Sequence, residues 1–311
     1  MPATVKLFDL CPKWLRFYEL AKNEPDPERR WQLWQEHYRF AAIPPTEAGM
    51  QRARQMLDES FDRYPAALDA ITLGAPGFRP QPQASLDAVS EALAFDGDLM
   101  VECVLFVGNF ENNAFAFTMN DMSRVHFPVE TSEYRKVTMA HEFAHVVHEH
   151  LCGVGGYVIP IAILAMKEGI AMHTSKAVVP GETDAVYTSM TDLAWLDRCR
   201  AKHQAILEGI APCLTEASEE AMWRFTMGTG TTGEAREVYY VGWHVVGHLL
   251  RQGRTLGDLA RLPENEIMAV VRETVGDAEG VGLQVQGEID VIQLVLRNAD
   301  VGQGNARTCV V

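Results

Sequence analysis

The sequence predicts an α+β fold, with a small antiparallel sheet packed on a mostly helical body. Three observations carry that expectation. Two short runs rich in β-branched and aromatic residues, LMVECVLFVG (99–108) and NAFAFTM (113–119), stand close together in the first half of the chain. Helical periodicity fills most of the sequence on either side of them. A chain of 311 residues with 47% hydrophobic content is also long enough to bury a substantial core. Strands gathered in one region, with helices elsewhere, are the α+β pattern.

From Pro12 to about Ala67 the apolar spacing is helical: Trp14, Phe17, Tyr18 and Leu20, then Trp31, Leu33, Trp34 and Tyr38, then Met50 to Tyr64. NEPDPE and AIPPTEAG break these segments. The stripe Trp14, Trp31, Trp34 and Tyr38 reads as core packing. LGAPGFRPQPQASLDA (73–88) is rich in Pro and Gly and reads as a boundary or a long surface connection. The expected organisation is therefore a helical region 1–95 and a second region 96–311. The second holds a sheet (96–130), a pair of chemically marked helices (131–176) and a helical remainder (177–311).

NFENN is expected to join the first two strands as a hairpin-like turn, and SRVHFPVE (123–130) reads as a third strand. Glu130-Thr131-Ser132-Glu133 looks like a helix start, with a hydroxyl N-cap and acids in the first turn, and Gly153 like the matching stop. Helical patterns follow at Pro160–Lys176, Thr191–Leu207, Glu216–Phe225, Glu234–Arg251, Leu256–Ala260 and Glu264–Val275. The stretch from Gly276 onward is Gly- and Val-rich and takes only a loose assignment.

Composition narrows the function. A net charge of −15, with no long basic stripe, argues against a nucleic-acid partner, because phosphate neutralisation needs clustered Lys and Arg. The first thirty residues carry no apolar signal-like run. The most apolar stretch, VGGYVIPIAILAM (154–166), is too short and too interrupted to span a bilayer. Six cysteines without a C-x-x-C pair read as free thiols in a reducing compartment. The expectation is a cytoplasmic protein without membrane attachment; oligomeric state leaves no signal in the sequence.

The chemistry concentrates in TMAHEFAHVVHEHLCG (138–153). His141 and His145, four residues apart, share one helix face, so their imidazoles converge on a point. Neutral imidazoles suit zinc, and Glu142 between them can polarise a metal-bound water. The surrounding Met139, Ala140, Phe143, Ala144, Val146 and Val147 are apolar, which sets the polar trio at the floor of a cleft or in the core, where unpaired groups are costly. A third ligand is required. The extended motif with glycine and a third histidine is excluded by His148 and Leu151 at the required positions. ILAMKEGIAMHTSK instead offers Glu168 in the middle of an apolar helix, followed by Gly169 and Ala171, small residues that permit close helix packing. The 22 residues between His145 and Glu168 suffice to end one helix, turn, and return antiparallel.

H-E-x-x-H followed by E-G-x-A on a second helix resembles the gluzincin metallopeptidases. More narrowly, Leu99 to Val275 resembles the YjaZ-like group of cytosolic bacterial zinc proteases, whose downstream Y-x-x-G helix is matched by YYVGWHVVGHLL from Tyr239. The resemblance implies a zincin-like helix pair, zinc held by His141, His145 and Glu168, Glu142 as general base, and a peptide or protein substrate. It implies an edge strand in which Asn113 and Ala114 hydrogen-bond extended substrate. Position 172 is methionine where the thermolysin-like branch has an aspartate supporting the first histidine, so His173, Asp192 and Asp197 are the candidates for that support.

Peptide hydrolysis also needs an oxyanion donor. Tyr239 is first choice, with Tyr240 and His244 as substitutes. His244 and His248 form a second i,i+4 pair, but no acid accompanies them. His148 and His150 read as exposed helix-end residues. Two other readings stand beside the peptidase: a small-amide hydrolase with Cys103 as upstream ligand, and a non-catalytic structural-zinc or peptide-binding protein.

Overall fold

The computed structural model describes residues 2–43, 46–119, 122–156 and 158–276. The elements run β1 (Thr4–Asp9), α1 (Cys11–Ala21), α2 (Pro27–His37), α3 (Glu47–Ser60), α4 (Leu68–Gly77), α5 (Pro82–Ala92), β2 (Met100–Phe106), β3 (Phe115–Met119) and β4 (Met122–Pro128). They continue with α6 (Arg135–Cys152), α7 (Ile161–Val178), α8 (Asp184–Thr188), α9 (Trp195–Ala201), α10 (His203–Ile210), α11 (Glu219–Thr226), α12 (Glu237–Arg251), α13 (Leu256–Leu259) and α14 (Glu264–Gly276). The fold is α+β. The sheet, however, is mixed rather than antiparallel. Its order is β1-β2-β4-β3, with β1 parallel to β2, β2 parallel to β4, and only β3 antiparallel to β4.

The hairpin expected between 99–108 and 113–119 does not form. β3 pairs instead with β4, from Phe115 opposite His126 to Met119 opposite Met122. NFENN is an irregular loop with positive φ at Phe110 (62°) and Asn112 (52°). It is tied down by the Glu130 carboxylate, which accepts from the Gly108 and Phe110 backbone N–H groups. Glu130 is thus spent on this loop and does not open a helix. α6 begins only at Arg135, after a left-handed Tyr134 (φ 52°) with no side-chain cap. Its end is as expected: Gly153 takes the left-handed conformation (φ 67°).

The N-terminal segment contributes more than helices, because β1 joins the same sheet and Tyr38 reaches it. The Tyr38 hydroxyl donates to the Val107 carbonyl and accepts from the Val107 N–H. Trp14, Trp31, Trp34 and Tyr38 are buried, as the aromatic stripe implies. The Pro/Gly-rich stretch 73–88 is no boundary. It ends α4 at a kink (Gly74, φ 48°), buries Phe78 and supplies α5, whose Leu86 and Val89 enter the core. The expected helix Thr191–Leu207 divides into α9 and α10 at Lys202. The stretch after Gly276, including Cys309, lies outside the described residues. The other five cysteines are free thiols. Among the described residues no helix is long and apolar enough to cross a membrane.

α7 is the centre of the helical body. It is buried almost all round, and it lies against α6 on one side and α12 on another. The small residue expected to bring it close to α6 serves the other contact. A side chain at Gly169 would run into the Gly242 carbonyl and Val246, and one at Gly242 into the Ala165 carbonyl and the Gly169 amide. Two glycines face each other, so α7 and α12 touch backbone to backbone.

Candidate metal centre

α6 carries His141, Glu142 and His145 at the bottom of a cleft whose far wall is α7. The imidazole Nε2 atoms of His141 and His145 are 3.0 Å apart. Glu168 Oε2 lies 3.3 Å from the first and 3.5 Å from the second. Donors held at about 2.0–2.1 Å by one tetrahedral ion stand about 3.3–3.4 Å from each other, so the triangle is of a size that one metal ion could fill. These three residues are the one His/Cys/Asp/Glu group of metal-site dimensions among the described residues.

The side chains also lack other partners. Glu168 is 7% exposed, yet its Oε2 makes no well-aligned hydrogen bond, and a buried carboxylate oxygen left in this state is costly. A cation between the three atoms removes that cost. Burial opposes the charge on Glu168, but the two imidazoles outweigh it and hold the carboxyl well below the usual range. Burial likewise opposes a charged His145, and here Glu168 prevails and raises it. Acid and imidazole thus favour each other's charged forms.

Glu142 is buried beside the triangle. Burial raises its pKa, the His141 and His145 charges pull it back, and the Ala116 backbone N–H donates a hydrogen bond to the carboxylate. Ala116 is in β3, the edge strand, so the sheet and α6 meet at the base.

The cleft has a volume of about 460 Å³, and Asn113, Ala114, His141, Glu142, His145, Glu168 and Tyr239 all line it. The structure therefore brings together every residue first chosen from the sequence. Tyr239 comes from α12, and the facing glycines explain how. Gly242 is one turn after Tyr239 and Gly169 is next to Glu168, so their contact sets the phenol on the same cleft as the Glu168 carboxylate. Burial, then Glu168, pushes the Tyr239 phenol up, leaving it a hydroxyl donor at neutral pH.

The substitutes for Tyr239 do not reach the cleft. Tyr240 and His244 line a separate depression with His173 and Trp243. His173 stacks on Trp243 (4.1 Å between centroids) and hydrogen-bonds its carbonyl. Asp192 pairs with Arg198, and Asp197 with Arg200. None of the three proposed supports for the histidines therefore shows a bond to them. Cys103 is fully buried in β2 and is outside the metal-sized group. His148 departs most from expectation. It is 1% exposed with neither ring nitrogen partnered, because the face of α6 carrying His145 continues into the core instead of ending in solvent. Burial lowers its pKa to about 3, so it is neutral. His150 is exposed, as expected.

Two contributors were invisible in the sequence. Arg236, at the left-handed residue before α12, lays its guanidinium 3.9 Å from the Tyr239 ring centroid. Glu237, fully buried, accepts from the backbone and hydroxyl of both Thr231 and Thr232, which pins the start of α12. Both act through loop geometry that no local motif encodes.

In comparisons with known proteins, no family model, curated protein or solved structure matches the chain.

Proposed function

We propose that this chain is a zinc-dependent hydrolase, and most specifically a metallopeptidase acting on peptides or proteins in the cytoplasm. The observation that carries the reading is the convergence of His141, His145 and Glu168 on one point, with Glu142 buried alongside and Tyr239 across the same cleft. Three protein donors suit a catalytic site, which keeps a coordination position for water or substrate. Zinc bound there would supply a Lewis acid that makes water nucleophilic at neutral pH and polarises a carbonyl.

The chain's own residues divide the remaining work. Glu142 takes a proton from the attacking water and returns it to the leaving amine as the C–N bond breaks. Burial raises its pKa, which strengthens it as the proton acceptor. Tyr239 donates to the oxygen that becomes anionic as the carbonyl is attacked. Asn113 and Ala114 precede the edge strand β3 and face the cleft, where backbone groups can hold an extended substrate.

The test is elemental analysis of the purified chain and of Glu168→Ala, followed by assay of the zinc-loaded protein on mixed peptides. One zinc per chain, lost in the variant, with peptide cleavage in the wild type, is expected. Full zinc content in Glu168→Ala removes the ligand assignment, and zinc binding without any cleavage returns the site to the structural or peptide-binding reading.

A further inference from the structure

The cleft holds a charge that the proposed chemistry does not use. Lys167, immediately before the ligand Glu168 on α7, lines the same 460 Å³ space. It is half-buried and makes no ion pair or hydrogen bond among the described residues. Its positive charge is felt by the buried groups around it, acting against protonation of both His145 and His148. Glu149 also lines this cleft, with its carboxylate turned against Gly155 at the border with the adjoining depression. The two do not pair. Arg124 and Lys202, partly buried like Lys167, each have an acid partner, Glu102 and Glu234, and Arg135 and Arg236 donate to backbone carbonyls. An ammonium kept partly desolvated and unmatched, within reach of the reacting centre, is a recognition group for an anion.

We infer that Lys167 binds a carboxylate of the substrate, so that the preferred substrates are peptides carrying a carboxylate close to the cleaved bond. Ile159, Leu164 and Met222 form an apolar part of the wall that takes the neighbouring side chain. The carboxylate can be the C-terminus of a short peptide or an Asp or Glu side chain. The inference rests on the hydrolase reading but is tested separately from it.

The probes are N-acetyl-Ala-Phe-Leu with a free C-terminus, its C-terminal amide, and N-acetyl-Ala-Phe-Glu-amide against the Gln-amide. Binding is measured by calorimetry to zinc-loaded Glu142→Gln, which holds substrate without turning it over. We expect the free acid to bind at least tenfold more tightly than its amide. The ratio should fall to within twofold when Lys167→Met is added and survive with Lys167→Arg; Lys167→Gln serves where the methionine variant does not fold. A preference for the Glu-amide over the Gln-amide, without a C-terminal preference, assigns the carboxylate to a side chain and also supports the inference. Equal affinity for all four peptides, no binding of any, or a preference that Lys167→Met leaves intact overturns it. Carboxylate-selective binding to Glu142→Gln combined with no cleavage by the wild type leaves the inference standing and removes the hydrolase reading.

Discussion

Two groups of histidines sit on opposite sides of the α7–α12 contact, and they could hardly be less alike. On one side His141 and His145 stand 3.0 Å apart with Glu168 between them. On the other, His173, His203 and His244 crowd together: His203 and His244 rings are 4.6 Å apart, and His203 Nδ1 bonds the Tyr240 hydroxyl. The second group has more imidazoles, and the acid in its depression, Asp184, is held by Lys176 and Arg200; among the described residues it forms no metal-sized group. Burial lowers His173 and His244 to about 4 each, so they stay neutral and behave as aromatic packing. In the first group the carboxylate reverses that effect at His145. The difference lies in one buried acid placed among the imidazole nitrogens rather than in the number of histidines.

That contrast can be broken at several points. The largest effect is expected from Glu142→Gln, which removes the base but no ligand. Turnover should fall by about 10²–10⁴-fold, the usual worth of a general base, while zinc content stays at the wild-type level. Retained turnover would detach Glu142 from the chemistry.

Next comes the zinc response of stability. Zinc at a hundred times its Kd should stabilise the wild type by about 2.7 kcal/mol and raise its melting temperature. Glu168→Ala should show almost none of this, and His244→Ala all of it. Equal responses in the two variants would mean the two clusters do not differ in the way described.

A third experiment addresses the contact between the clusters. Gly242→Ala gains a few tenths of a kcal/mol to 1 kcal/mol of helix propensity, but it must push α12 off the Ala165 carbonyl and the Gly169 amide. Overpacking of this kind costs about 1–3 kcal/mol, so a net loss of stability is expected, with weaker turnover as Tyr239 moves from Glu168. An unchanged denaturant midpoint would show that the helices part freely.

The smallest effect is on pH dependence. His173 and His244 have folded pKa values near 4, below the unfolded value of 6.5, so the unfolded state binds more protons between those limits. Their contribution to stability is therefore complete above about pH 6.5 and is lost as pH falls toward 4. His244→Asn should flatten the fall in denaturation midpoint over that window. A profile identical to the wild type would show that His244 is already solvated.

Much of the site was legible because its signals are local. H-E-x-x-H spacing fixes two donors on one helix face, and an acid in an apolar helix announces itself by its cost. Tyr239 was legible only by resemblance, and its separation from Tyr240 came from the direction α12 faces. Helix boundaries failed where a side chain was claimed by a distant partner. Glu130 looked like part of an N-terminal cap, but Gly108 and Phe110 take its oxygens. His148 looked like a solvated helix end because the sequence does not say how far the core extends along α6.

By itself, the sequence determined the α+β class, the aromatic core of the first helices, the stop at Gly153 and which side chains, His141, His145 and Glu168, meet beside Glu142. Each follows from residues close together in the chain, where periodicity, propensity and spacing operate. Tertiary structure decided which strands pair, which helix Gly169 faces, which histidines remain neutral and which lysine is left unmatched beside Glu168. Those outcomes depend on groups far apart in sequence, whose burial and partners exist only once the chain has packed.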